Sequence, residues 1–208
     1  MFCPYHGYYR GDRCPECGRR GMKLMDDEEA EALSRRMVAA LRHVPERYGI
    51  QLDEHGFVSV KELTRAIRRK RGFRWVREVH VVAIAITDER GRYELREGKI
   101  RATYGHTLEV DLSDLPAEAP EKLYFPCTPE EAEFLLEMGI RPSDRSWVHL
   151  SSSKQKAREA AMARGIAEPV ILEVDARRAL EDGVFIRKAG REVYIAKEVP
   201  PQYVRVSE

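Results

Sequence analysis

The chain has 208 residues, which at about 150 residues per typical domain leaves room for one large domain or two small ones. An apolar share of 43% with a mean hydropathy of -0.52 describes a soluble globular chain, and 36 basic against 35 acidic side chains leave global charge silent about nucleic acid. The longest apolar run, Val81–Ile86, is far short of the roughly 18 residues that cross a bilayer. The opening segment has no basic stretch leading into an apolar one, so a cytoplasmic protein without a membrane partner is expected. Charge is nevertheless segregated along the chain. Residues 61–78 hold eight Lys/Arg against two Glu, and residues 109–133 hold eight Asp/Glu against one Lys, so a local basic face is compatible with overall neutrality.

Residues 1–25 form a Cys/Gly/Arg-rich module with little apolar content. Cys3-Pro-Tyr-His6 and Cys14-Pro-Glu-Cys17 are two ligand pairs, each with a two-residue gap, and together they complete a Cys3His set for tetrahedral zinc. Four protein ligands leave no position for water, so the expected zinc is structural, and a module this small needs it to fold. The alternative is a Cys14–Cys17 disulfide with Cys3 and His6 nearby by chance.

Residues 26–108 read as a mainly helical unit. DDEEAEALSRRMVAALRH carries acids at its start and bases at its end, matching a helix macrodipole. Leu33, Met37, Ala40 and Leu41 make its buried stripe, with Arg42 nearly opposite and His43 to one side. A short extended piece, LDEHGFV, precedes a second helix, SVKELTRAIRRK, whose Val60, Leu63 and Ile67 face inward. Residues 76–86 fit either a helix or, by their β-branched content, a strand. RYELREGKIRATYGH alternates around a Glu-Gly turn and reads as a hairpin. Three helices followed by a hairpin is the order of a winged helix.

The acidic stretch 109–122 reads as a linker, and residues 123–208 as a second unit with more strand. LYF opens it as a short strand. Thr128, Pro129 and Glu131 then supply the N-cap, N1 proline and capping-box acid of a helix that stops at Gly139. WVHLS reads as a strand, SKQKAREAAMARG as a helix and VILEVD as a strand; VFIRK and EVYIA pair around an Ala-Gly turn. The fold class is α+β.

Three short segments hold anion-binding side chains: LRHVP with Arg42 and His43, RATYGH with Arg101 and His106, and DRSWVHLSS with Arg145, His149 and Ser151. Taken alone, LRHVP reads better as a solvated helix end whose bases favour the C-terminal dipole, and a strand histidine is more often a hydrogen-bonded core residue than a catalyst. Their combination and order change the weighting. LSRRMVAALRHVPERYGIQLDEHGFVSVKEL, RYEL, IRATYGH, LY, VHLS, PVILEVDA and VPPQY, spread over residues 33–204, closely resemble the RNA (tRNA) 2′-phosphotransferase family.

That resemblance implies a winged-helix lobe that binds RNA and phosphate, followed by an ADP-ribosyltransferase-like lobe that binds NAD. It implies removal of an internal 2′-phosphate from RNA, in particular tRNA, by a cytoplasmic monomer with NAD as co-substrate. The RNA passes through a 2′-phospho-ADP-ribosylated intermediate, and nicotinamide and ADP-ribose 1″,2″-cyclic phosphate are released. The family's phosphate-handling residues map onto Arg42, His43, Arg101 and Arg145, and its NAD side onto His149, Ser151, Arg164 and Gly165, with Asp175 nearby. An arginine-rich set from both lobes suits a phosphate dianion, because guanidinium binds phosphate bidentately; it also implies an active site in the cleft between the lobes. No protein nucleophile is needed, and Cys127 reads as a buried or incidental thiol. The chain departs from the family pattern in three ways. LYFPC puts Phe125 and Pro126 where His and Gly are usual, Tyr104 replaces a Gln, and the zinc module lies outside the family core. The first departure bears on NAD affinity and turnover rather than on the phosphate site.

Two other functions remain open at this point. A zinc knuckle with a winged helix also describes a nucleic-acid-binding regulator, with KELTRAIRRKRGFRWVR as recognition helix and Trp75 beside the backbone contacts. A regulator has no need of Arg145, His149 and Ser151. ADP-ribosylation of other acceptors uses the same second lobe.

Overall fold

The computed structural model describes residues 1–207. The chain divides into two compact units, Met1–Thr103 and Tyr104 onward. The division falls inside RATYGH, so Arg101 belongs to the first unit and Tyr104, Gly105 and His106 to the second.

The first unit opens with a two-stranded hairpin, β1 (Phe2–Cys3) and β2 (Gly7–Tyr8). Helix α1 (Asp27–Arg42) starts at a reciprocal cap: Asp26 accepts the Glu29 N–H at 2.8 Å and Glu29 accepts the Asp26 N–H at 3.0 Å. A short α2 (Pro45–Tyr48), β3 (Val58–Ser59), α3 (Val60–Arg68) and α4 (Glu78–Ile86) follow. Strands β4 (Tyr93–Arg96) and β5 (Lys99–Ala102) close a three-stranded antiparallel sheet in the order β3-β5-β4. Their turn carries positive φ at both Glu97 (50°) and Gly98 (75°), the combination that matches strand twist in a two-residue hairpin. Leu33, Met37, Ala40 and Leu41 are all fully buried, in one core with Leu63, Ile67, Val81, Ile84 and Ile100.

Two readings of this unit are settled. Residues 78–86 are helix, because Val81 and Ile84, three apart, both reach the core, and this packing outweighs the β-branched preference. Arg42 is 8% exposed, although it lies nearly opposite the stripe. Helix α1 packs against α2, α3, α4 and β5, so its second face is covered as well.

The second unit contains β6 (Lys122–Cys127), α5 (Pro129–Met138), β7 (Val148–Ser151), α6 (Lys154–Ala163) and β8 (Val170–Asp175). It continues with α7 (Ala176–Glu181), β9 (Ile186–Lys188), β10 (Val193–Ala196) and β11 (Val204–Val206). The strands form one antiparallel six-stranded sheet in the order β11-β8-β6-β7-β10-β9. Helix α5 has the expected cap at Thr128 and ends at Gly139. The chain is α+β. Residues 109–121 hold no helix or strand, yet Val110, Leu112 and Leu115 are buried with Trp147, Ala189 and Ile195. The stretch is therefore packed core of the second unit rather than a free linker; its three apolar residues override the acidic composition. No helix among the described residues is long and apolar enough to cross a membrane.

Candidate active site and metal centre

The first hairpin and the turn after Cys14 bring Cys3, His6, Cys14 and Cys17 together, with all ligand atoms within 4.8 Å of one another. Zinc bonds of about 2.3 Å to sulfur and about 2.0 Å to nitrogen set tetrahedral edges of about 3.8 Å (S–S) and about 3.5 Å (S–N). The observed edges are Cys3–Cys17 3.8 Å, Cys3–His6 Nδ1 3.6 Å and Cys14–His6 Nδ1 3.5 Å. The four side chains fit a tetrahedral metal. All four cysteines of the chain are free thiols, so no Cys14–Cys17 disulfide is present. The Tyr5 backbone N–H, the His6 backbone and side chain, and Cys14 hold the Cys3 thiol down at about 6 against burial, which provides a thiolate at neutral pH.

At the end of α1 the chain presents Arg42 and half-buried His43. Arg42 lies near enough to Tyr93 to act on its hydroxyl, whose pKa burial nevertheless pushes above the usual value. Arg101 leaves β5 on the face opposite Ile100 and Ala102. It is 1% exposed, with its Nε and Nη2 on Glu94 (2.7 and 2.6 Å), its Nη1 on the His55 carbonyl (3.2 Å) and its plane 4.4 Å from the Phe57 ring centroid. Arg101 is thus built into its own unit by a forked ion pair and a stack.

The second unit joins two of the expected side chains through one peptide. The Gly105 carbonyl accepts from Arg145 Nη1 at 3.0 Å, and the Gly105 N–H donates to His149 Nε2 at 3.0 Å. Gly105 has φ +81°, a conformation that side chains rarely adopt. Because His149 Nε2 accepts, the neutral ring carries its proton on Nδ1. Tyr104 packs edge-on to His149 with ring centroids 6.2 Å apart, which gives the Gln replacement a structural role here. Alternation along β7 puts His149 and Ser151 on one face and sends Leu150 into the core. The Ser151 side chain is buried, and its residue pairs with Tyr124 of β6.

Helix α6 then runs about 15 Å back along the sheet, so Arg164 and Gly165 lie at the opposite end of α6 from Ser151. Gly165 has φ +80° and open space around its Cβ position; it is the left-handed stop of α6. Arg164 acts with Arg145 on Asp144, a carboxylate with no sequence signal beyond its place next to Arg145. Burial works against its ionised form, but Ser143, its own backbone N–H, Arg145 and Arg164 hold its carboxyl below the ordinary range. Asp175 caps α7 by accepting the Arg178 N–H at 3.1 Å, a structural task.

Phe125 is half-buried against the core that contains Leu123, Leu150 and Leu172. Pro126 has no N–H to give. Strand β6 pairs with β8 along its whole length, and with β7 only at Tyr124–Ser151 among the described residues. Because Tyr124 pairs with Ser151 and Phe125 with Leu172, alternation puts Tyr124 on the sheet face of His149 and Ser151, and Phe125 on the opposite, Leu150 face. Cys127 is fully buried and burial pushes its thiol up to about 11, so it is no nucleophile at neutral pH.

Arg145 and His149 on one peptide, with the buried Ser151 on the same strand face as His149, form a set suited to holding an anion, with no activated cysteine among them. Comparison with known proteins makes the class specific. The family described as RNA 2'-phosphotransferase, Tpt1 / KptA family, matches residues 28–198. A probable RNA 2′-phosphotransferase of Thermoplasma volcanium is 42% identical over 98% of this chain and 86% of its own. Proteins with similar names from Archaeoglobus fulgidus (98% and 93% covered) and Methanosarcina barkeri (99% and 98% covered) are each 40% identical. The chain belongs to the RNA 2′-phosphotransferase family and is an enzyme of the transferase class. The family match begins after the metal module, whereas the relatives align through it.

Proposed function

We propose that this protein removes an internal 2′-phosphate from RNA, with tRNA as the natural substrate and NAD as co-substrate. The observation that carries the reading is the Gly105 peptide. It holds a phosphate-type arginine, Arg145, and the NAD-side histidine, His149, on its two ends. A 2′-phosphate on Arg145 is thereby delivered to the ribose that His149 and Ser151 hold.

NAD, when bound, supplies the ribose C1″ that a phosphate oxygen attacks as nicotinamide leaves. Arg42 and His43 orient the phosphate for that attack, and Arg101 sets the hairpin that carries it, while Arg145 acts chiefly in the step that follows. In the second step the ribose O2″ attacks phosphorus and the bond to the RNA 2′-oxygen breaks. The RNA 2′-hydroxyl is restored and ADP-ribose 1″,2″-cyclic phosphate departs. Negative charge shifts among the phosphoryl oxygens in this step, so fixed arginine donors assist it most. The first unit corresponds in this reading to a structural zinc module and a winged-helix lobe, the second to an ADP-ribosyltransferase-like lobe, in a cytoplasmic monomer.

Incubation of a 2′-phosphorylated RNA with and without NAD tests the proposal. Nicotinamide release that requires the 2′-phosphate is expected. Equal release with unphosphorylated RNA or protein as acceptor supports general ADP-ribosylation, and tight RNA binding with no release supports a regulator.

A further inference from the structure

The basic run 65–77 has no part in the site described above. Helix α3 turns Val60, Leu63, Ala66 and Ile67 into the core and leaves Lys61, Arg65 and Arg68 exposed at i, i+4 and i+7. That row runs about 10 Å along one side of the helix. It faces Arg77, Glu78 and Val79 at the start of α4 across a groove of 460 Å³, completed by Thr64. Four cations and one carboxylate line the groove. None of the four cations makes an ion pair among the described residues, whereas Arg92 and Arg101 of the same unit are both paired. The Thr64 hydroxyl is turned back onto the Val60 carbonyl at 2.7 Å, so the groove's outward polar groups are its charges. Trp75 is packed against His80 with ring centroids 5.0 Å apart and does not line the groove.

We infer that this α3–α4 groove is a second RNA-contact site, which holds the sugar-phosphate backbone of the substrate away from the reacting phosphate. The inference rests on the proposed RNA substrate. Guanidinium and ammonium groups left without carboxylate partners suit phosphodiesters, and no aromatic ring lines the groove as a stacking platform for bases. The site therefore adds affinity through the backbone and serves long RNA more than short.

The experiment measures binding of a single-stranded 20-nucleotide RNA, with and without an internal 2′-phosphate, across a salt series. The proteins are the parent, Arg65→Gln/Arg68→Gln, and a charge-matched control, Arg69→Gln/Arg71→Gln, whose exposed arginines do not line the groove. Each lost phosphate contact lowers the slope of log K against log salt by about 0.7 on single strands, so the groove variant loses about 1.4 and the control much less. Both RNAs show the same loss. Turnover of a 2′-phosphorylated trinucleotide and NAD affinity stay at parent values, and so does the melting temperature, since both residues are exposed.

An unchanged slope, or equal loss in the control, overturns the groove as a site. Parallel loss of trinucleotide turnover overturns its separation from the reacting phosphate. If the slope falls as expected but no RNA is dephosphorylated, the proposed reaction fails while the groove stands.

Discussion

Arg101 and Arg145 carry the same charge in very different settings, and they predict different variants. Arg101 is buried on Glu94 and Phe57. Arg101→Ala leaves the Glu94 carboxylate without its fork and opens a gap beside Phe57, a loss of about 2–3 kcal/mol for a partly buried pair. Arg101→Lys recovers little of it, because an ammonium cannot reproduce the fork. Arg145 is partly exposed and held by a carbonyl, so Arg145→Ala leaves the melting temperature near that of the parent. It slows the second chemical step about 10²–10³-fold, and RNA bearing 2′-phospho-ADP-ribose accumulates in single-turnover assays. Thermal melts and gel analysis of labelled RNA check both; accumulation of unreacted RNA alone would place Arg145 in the first step. At Phe125 the structure adds a cost to restoring the family histidine, because the ring packs on the core. Phe125→His is expected to lower the NAD dissociation constant while reducing the melting temperature by a few degrees. Calorimetric titration that shows no tightening would mean the pocket has been rebuilt around phenylalanine.

At the scale of elements, what was legible follows from local physics. The α5 cap at Thr128, the β4–β5 hairpin and the β9–β10 pair each have their signal in adjacent residues. Helix α4 was ambiguous because its choice depends on the core that it meets. The composition of residues 109–122 reads as a linker, but the burial of Val110, Leu112 and Leu115 depends on partners from Trp147 to Ile195. The site divides in the same way. Motifs single out Arg145, His149 and Ser151 as candidates, but the peptide that joins two of them is a contact over 40 residues and more in sequence, and Asp144 becomes informative only beside Arg164. The sheet edge also carries a pH dependence. Glu173 of β8 is buried, a cost to its charged form, but Arg205 (2.9 Å from Nε) and Lys122 (3.1 Å) hold its carboxyl below the ordinary value. A pKa lowered on folding contributes stability above the unfolded value and loses it as pH falls through the folded one. The parent should therefore lose stability below the ordinary carboxylate range more steeply than Glu173→Gln, as denaturant midpoints between pH 6 and pH 3 would show. Parallel curves would mean that the pair contributes nothing to folding.

For the whole molecule, the metal module and the transfer site make separable claims. Purified protein is expected to hold about one equivalent of zinc. Chelation should expose three of the four thiols to a thiol reagent, with Cys127 reacting only on denaturation, since it is fully buried in the second unit. Three thiols already reactive in the untreated protein would contradict a closed structural site. The central claim concerns where the phosphate goes. An RNA labelled in its internal 2′-phosphate, incubated with NAD and resolved by product, tests it most directly. The account predicts that the label leaves the RNA in ADP-ribose 1″,2″-cyclic phosphate, with one nicotinamide released per phosphate removed and none removed without NAD. Label appearing as inorganic phosphate, or leaving the RNA without NAD, would contradict it.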